Sequence, residues 1–300
     1  MATEVGSAAV GSAAGARRLA VLGTAATCVL AVVVFAPILY YMILQWRDSP
    51  DYSHGFLIPP LAAYFAWERR RKFARAPLEA SWWGLLPLCL GALALLVGRL
   101  GVEQMSMRVA FVLMLNGLVL LQLGPTIYRI LAFPLWLLLL MVPLPQSLVN
   151  VVAFPLQLIA ADLAVQTLQF FGFPVLREGN IIHLPNASLF VHEACSGLRS
   201  LMALGTLGVV FAYFFRKSWG ERIVLIASTL PIAVLVNAFR VMLTAVLAYH
   251  YGQATAEGVI HQTEGFFTFG LAFGLLLVEA RLLAWLWPRR PRAATARVGG

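Results

Sequence analysis

A thiol at the start of a helix is favoured as a nucleophile, and this sequence holds one. The string His192-Glu193-Ala194-Cys195-Ser196-Gly197-Leu198-Arg199-Ser200 ends a polar segment and opens an apolar run of helical length. There the positive end of the helix macrodipole favours thiolate over thiol, and a nearby arginine adds to the effect. Arg199, four residues after Cys195, shares its helical face. A second element, Asn237-Ala238-Phe239-Arg240, lies inside another apolar run, where a charge costs at least about 2.5–3.5 kcal/mol on insertion scales. Counting about 20 residues at ~1.5 Å each from Arg222 puts Arg240 one turn below the far membrane boundary, the depth of Cys195. His261, in the segment 257–265, reaches the same boundary, and an imidazole moves protons near neutral pH. A nucleophilic thiol, a fixed cation and a proton carrier thus share one depth, and any chemistry they do is done at the membrane boundary.

Each residue also has a plainer reading. Cys195 could be a small packing residue, the role assigned here to Cys28 and Cys89, which sit mid-span among alanine and leucine. Arg240 could snorkel, although a snorkelling arginine usually sits at a helix end, and here apolar or small residues run on to Tyr249. His54, His183, His192 and His250 compete with His261, and residue type does not choose among them. Arg199 rivals Arg240, and spacing alone does not separate the two. Three cysteines without a CxxC pair indicate neither a disulfide framework nor a zinc site, and no HxxxH or HxH spacing points to a metal. No metal and no cofactor are expected.

The elements that must carry these residues follow from composition. Of 300 residues 61% are hydrophobic and only 12% charged, too few polar side chains to coat a water-facing surface of this size. The net charge of +9 does not mark a nucleic-acid face, because the basic residues punctuate apolar runs instead of clustering on one surface. Arg17 and Arg18, Arg69 to Arg75, Arg216 to Arg222, and Arg289 to Arg297 follow the positive-inside pattern. At about 20 residues per crossing, spans fall near 19–44, 55–68, 82–99, 108–124, 127–143, 196–215, 222–250 and 265–287. The first is too long for a cleaved signal and reads as a retained anchor, while the second is short.

Alternation from an inner N-terminus leaves residues 143–145 outside and the basic 216–222 loop inside only if 151–173 does not cross. Gln157, Asp162, Gln166 and Gln169 give that stretch a polar stripe, so it reads as an interfacial or re-entrant helix. The expected fold class is all-α: a polytopic membrane bundle of about eight spans plus one amphipathic helix. Residues 1–18 form a flexible cytoplasmic N-terminus, 19–287 the membrane domain and 288–300 a basic cytoplasmic tail. Segments 46–54, 174–194 and 251–264 gather on the outer side.

The string from Ala194 to Ser200, then residues 237–240, then His261, resembles in order and setting the exosortases, and more broadly the exosortase/archaeosortase membrane transpeptidases. Asp51-Tyr52-Ser53-His54-Gly55-Phe56-Leu57-Ile58-Pro59-Pro60 and Glu178-Gly179-Asn180-Ile181-Ile182-His183-Leu184-Pro185 are similar to further family motifs, and the resemblance runs from about residue 30 to 287. It looks like the minimal membrane form, without an added soluble domain.

The resemblance implies a cysteine peptidase or transpeptidase whose catalytic set is Cys195, Arg240 and His261. It also implies substrates that are secreted proteins of the PEP-CTERM type, ending in a short Pro-Glu-Pro motif, a transmembrane helix and a basic cluster. It places the enzyme in the bacterial inner membrane with both termini cytoplasmic and the site facing the periplasm. Asn180, His183 and Glu178 could hold the recognition motif, and Arg177 or Arg199 could attract its glutamate. The acceptor that resolves the acyl-enzyme, water or an amine, stays open. A transporter or scaffold of extracellular polysaccharide export is the competing reading, with Arg240, Asp162 and Glu279 lining a polar path.

Overall fold

Hydrocarbon offers no hydrogen bonds to a peptide group, so a chain this apolar satisfies its backbone within helices. The computed structural model describes residues 2–191, 198–215, 218–252 and 259–286, which are largely helical. Six helices among the described residues are long and apolar enough to cross a membrane, and a shorter apolar one covers Leu201–Phe214. Leu22, Val29, Leu93 and Leu96 stand exposed, as a lipid-facing surface requires. This is an all-α, multi-pass membrane protein. The chain divides into two units, Met1–Gln146 and Ser147–Gly300.

In the first unit α1 (Ala2–Val34) passes to α2 (Ala36–Asp48) at Pro37, which opens the second helix because proline is tolerated in a first turn. Buried Phe35 anchors the junction against Phe111, with ring centroids 5.5 Å apart. A 3-10 stretch, Pro50–Leu57, leads into α3 (Ile58–Glu68) and α4 (Arg70–Arg75). Eleven residues of α3 cover only about 16 Å. The short crossing anticipated at 55–68 therefore depends on the 3-10 turn before it. Arg17 donates to the carbonyls of Phe73 and Ala76, each at 2.6 Å, capping the end of α4. Two basic clusters, around Arg17 and Arg70–Arg75, thus lie at one end of the unit.

The pair α5 (Leu85–Leu100) and α6 (Gln104–Leu137) shows how helices associate where lipid is as apolar as leucine. Gly84, Gly91 and Gly98 recur every seven residues, hence on one face. A Cβ on Gly91 would stand 3.1 Å from the Ala110 carbonyl, and one on Gly98 2.9 Å from that of Glu103. Within α6 the chain reverses. In a straight helix residues 116 and 128 lie about 18 Å apart, yet the Tyr128 hydroxyl donates to Asn116 Oδ1 at 3.0 Å. The chain turns at Gly124, φ 84° and ψ 176°, so the two spans anticipated at 108–124 and 127–143 are the two arms.

The second unit begins with α7 (Gln146–Phe170), whose 25 residues have the length and apolarity of a crossing. This is the stretch whose polar stripe suggested an interfacial position. Gln157 departs from that stripe: it is buried on the packed face with Ala153, Ala160, Ala161 and Ala164. Asp162, Gln166 and Gln169 share the other side. Three short strands, β1 (Leu176–Glu178), β2 (Ile181–Leu184) and β3 (Ala187–Phe190), make an antiparallel meander. Then come α8 (Leu198–Phe215), α9 (Trp219–Tyr251) and α10 (Val259–Leu286).

Gly124 and Gly172 test the tight reversal. Both have positive φ, but a Cβ on Gly172 meets nothing within 4 Å, whereas one on Gly124 would stand 1.7 Å from the Glu79 carbonyl oxygen. Gly172→Ala should cost on the order of 1 kcal/mol, the left-handed strain alone, and Gly124→Ala clearly more. Thermal midpoints in detergent report this; equal losses would mean that Gly124 is not held against Glu79.

Candidate active site

The segment 174–194, read from sequence as an outer loop, is sheet through Phe190. Its strands are three or four residues long, too short for an alternating pattern to stand out. Gly179 has φ 63°, the left-handed conformation that a two-residue turn between Glu178 and Ile181 needs at its first position. Alternation then sorts the side chains. Ile182, Leu184, Ala187 and Leu189 point into a core with Ala161, Ala164 and Leu168 of α7 and Val241, Ala245 and Ala248 of α9. Asn186 Nδ2 donates to the Tyr249 carbonyl at 2.8 Å and ties the second turn to the end of α9. The sheet is fixed to the helices on either side of it.

The anticipated recognition residues divide between the two faces. Arg177, paired in register with buried Ile182, reaches α7 and meets Asp162 at 3.1 Å. Its other terminal nitrogen donates to the Gly179 carbonyl at 3.0 Å. His183 lies on the opposite face, with Nδ1 3.1 Å from Ser188 Oγ and Nε2 3.4 Å from Glu178 Oε2. The Asn180 carbonyl accepts from the Val191 amide at 2.9 Å, closing the meander just before the string that contains Cys195. Cys195 lies outside the described residues, as does His192. Arg199 and His261 lie within α8 and α10, described here by their backbone.

The registers of α8, α9 and α10 determine which backbone positions share a level. A Cβ on Gly208 would stand 2.5 Å from Thr229 Cγ2, and Arg222 stacks 5.6 Å from the Tyr213 ring centroid. These two pairs describe antiparallel helices in constant register. Ten residues back from Gly208 and ten on from Thr229 bring Leu198 level with Phe239, and Arg199 level with Ala238. On the other side Ser228 donates to Glu279 at 2.6 Å, and Phe239 meets Phe267 with centroids 6.4 Å apart. Arg240 is therefore level with Phe266, and His261 begins about 8 Å further toward the end of α9. Three residues of chain join Leu198 to Cys195, a reach of at most about 11 Å.

Arg240 is half-buried, with Nε sealed from solvent, and its carbonyl accepts from Thr244 Oγ at 2.9 Å. One turn earlier, on the same helical face, Asn237 is 6% exposed. Val241 packs into the sheet core beside it, so α9 cannot rotate about its axis without disrupting that core. A cation is thereby held at the level where α8 begins. Cys28 packs against the cluster of Ala76, Val119 and Ile127, and Cys89 is exposed on α5.

Residues 46–278 match a family described as transmembrane exosortase. No curated protein and no solved structure is similar to the chain. The matched region opens with the stretch 46–60, whose motif residues here lock the first unit. Trp46 Nε1 donates to the Met141 carbonyl at 2.9 Å and the Tyr52 hydroxyl to the Leu144 carbonyl at 3.0 Å. Gly55 lies under the Trp46 ring, where a Cβ would stand 2.4 Å from Nε1.

His54 belongs to this turn, with Nδ1 3.2 Å from the Asp51 carbonyl oxygen. Burial holds its pKa below 6.5, so the folded chain prefers the neutral ring while the unfolded chain protonates freely. The stability it contributes is present above pH 6.5 and is lost as pH falls through the lowered folded value. Wild type should lose thermal midpoint as pH falls below 6.5, and His54→Gln should lose less; parallel curves would exclude His54 as the titrating group.

Proposed function

We propose that this chain, which belongs to the transmembrane exosortase family, is a membrane-embedded cysteine peptidase or transpeptidase that cleaves the C-terminal sorting tail of secreted proteins. The observation that carries this reading is the helix register. The start of α8, which follows Cys195 by three residues, and residues 237–240 of α9 share one level, with His261 in the first turn of α10 about 8 Å away along the axis. In this reading the level is the outer boundary of a bacterial inner membrane. The scissile bond of a tail anchored by its own transmembrane helix would be held at that depth.

In the proposed reaction the Cys195 thiolate adds to the scissile carbonyl, and the developing oxyanion is stabilised by Arg240. Arginine stays protonated in proteins, so its part is electrostatic. His261 delivers a proton to the leaving nitrogen as the C–N bond breaks, leaving a thioester to the secreted domain and a free amine on the membrane tail. Water or an acceptor amine then gives a proton to His261, attacks the thioester and releases Cys195. His183, Asn180, Arg177 and Arg199 are the proposed contacts to the recognition motif. With Arg177 tied to Asp162, His183 and Glu178 on the open face of the sheet suit that role better.

The transport reading asks Arg240, Asp162 and Glu279 to line one path. Glu279 accepts from Ser228, about 18 Å along α9 from Arg240, and Asp162 is paired with Arg177. That spacing favours chemistry over conduction.

Co-expression with a secreted substrate bearing a Pro-Glu-Pro tail, followed by mass analysis of the tail, tests the proposal. Cys195→Ala should abolish cleavage, and Arg240→Ala and His261→Ala should slow it by about 10²–10³-fold. Arg199→Ala should retain most activity. Normal processing by Cys195→Ala would end the peptidase reading, and loss confined to Arg199→Ala would move the oxyanion role to α8.

A further inference from the structure

A second arginine inside the bundle serves no purpose in this chemistry. Arg108, one turn into α6, is 3% exposed. Its terminal nitrogens donate to two neutral amides, Gln45 Oε1 at 2.8 Å and Gln104 Oε1 at 2.5 Å, and its Nε is sealed in the protein without a hydrogen-bond partner. Among the described residues no carboxylate lies within ion-pair distance of it. Glu103, which precedes the helix, commits its two oxygens to the amides of Met105 and Ser106, at 2.7 and 2.6 Å. Glu103 therefore acts on Arg108 only through space, and a buried guanidinium whose hydrogen bonds all go to neutral amides is costly unless an anion reaches it.

The structure has room for one. Arg108 lines an open cavity of about 330 Å³ with Arg99, Gln104, Tyr41, Ile38 and Met107. Exposed Arg99 supplies a second cation at the mouth, while the α2 residues give an apolar wall. The turn beside it, between α5 and α6, carries Val102 at φ 52°, a conformation that a β-branched residue adopts only when its surroundings compel it. Because α5 ends and α6 begins here, the cavity lies at a membrane boundary, the depth of lipid phosphates. Two cations at that depth beside an apolar wall match a molecule with an anionic head and a hydrocarbon tail.

We propose that the cavity between α2, α5 and α6 binds an anionic phospholipid, its phosphate on Arg108 and Arg99 and its acyl chain along Ile38 and Met107. The site belongs to the first unit and does not depend on the peptidase reading. Phosphate oxygens would take charge-assisted hydrogen bonds from the guanidinium groups.

Thermal unfolding of the full chain in detergent, titrated with short-chain phosphatidylglycerol, phosphatidylcholine or inorganic phosphate, tests the assignment. Phosphatidylglycerol should raise the midpoint at concentrations at least about tenfold below those at which phosphatidylcholine acts. Arg99→Gln should weaken that response about tenfold and Arg108→Gln should remove it, whereas Arg70→Gln, at the opposite end of the unit, should leave it intact. Should Arg108→Gln fail to fold, Arg99→Gln decides alone. An equal response to phosphatidylcholine, or an unchanged response in Arg99→Gln, overturns the site. Phosphate alone matching phosphatidylglycerol overturns the lipid in favour of a free anion.

Discussion

A peptide group surrounded by hydrocarbon finds its hydrogen-bond partners only within the protein, and the layout of this chain descends from that constraint. Helices run until a residue that cannot continue them is reached, and irregular backbone is confined to places where side chains or close packing compensate. Pro37, Gly124 and the 3-10 turn at Pro50–Leu57 are such places. Each is paired with a specific anchor: Phe35 against Phe111, the Glu79 carbonyl against Gly124, and Trp46 and Tyr52 on the carbonyls of Met141 and Leu144.

The same constraint explains where charge appears. Arg17 bonds carbonyls at the end of α4, and Arg69 bonds the Ile130 carbonyl in the second arm of α6, so both cations are satisfied by backbone oxygen within the first unit. Arg108 and Arg240 lie deeper, near the starts or ends of neighbouring helices, where the chain is close to water without being in it. One is bonded to two glutamine side chains in a cavity, and the other sits on the face of α9 that carries buried Asn237. A charge at either position is costly in hydrocarbon, so each depends on polar groups that the surrounding helices supply.

The meander of β1 to β3 gives the second unit a precision that a loop would not. Its inner face shares a core with α7 and α9, its second turn is bonded to Tyr249, and its last strand runs directly toward the cysteine string. The level of α8 beside α9 is set by the contact of Gly208 with Thr229.

Much of this was legible without coordinates. The lack of charge and the punctuation of apolar runs by arginine specify a polytopic helical bundle, because burial in lipid depends only on composition over about 20 residues. Arg240 stood out as a charge in an apolar run and Cys195 by its place at the start of one, whereas His261 was singled out from the other histidines only by the family resemblance. The reversal at Gly124 was visible as two spans. Local sequence could not reveal partners distant in the chain. That Gln157 turns into the core while Asp162 holds Arg177, that residues 176–190 form a sheet, and that Arg108 ends beside a cavity are decided by which helix packs on which. Arg108 was discoverable as a charge in an apolar run, yet only its two neutral partners set it apart from a snorkelling arginine. Composition over a window determines the solvent a segment prefers; the level, the face and the partner of a side chain arise from packing between segments, and those belong to the tertiary structure alone.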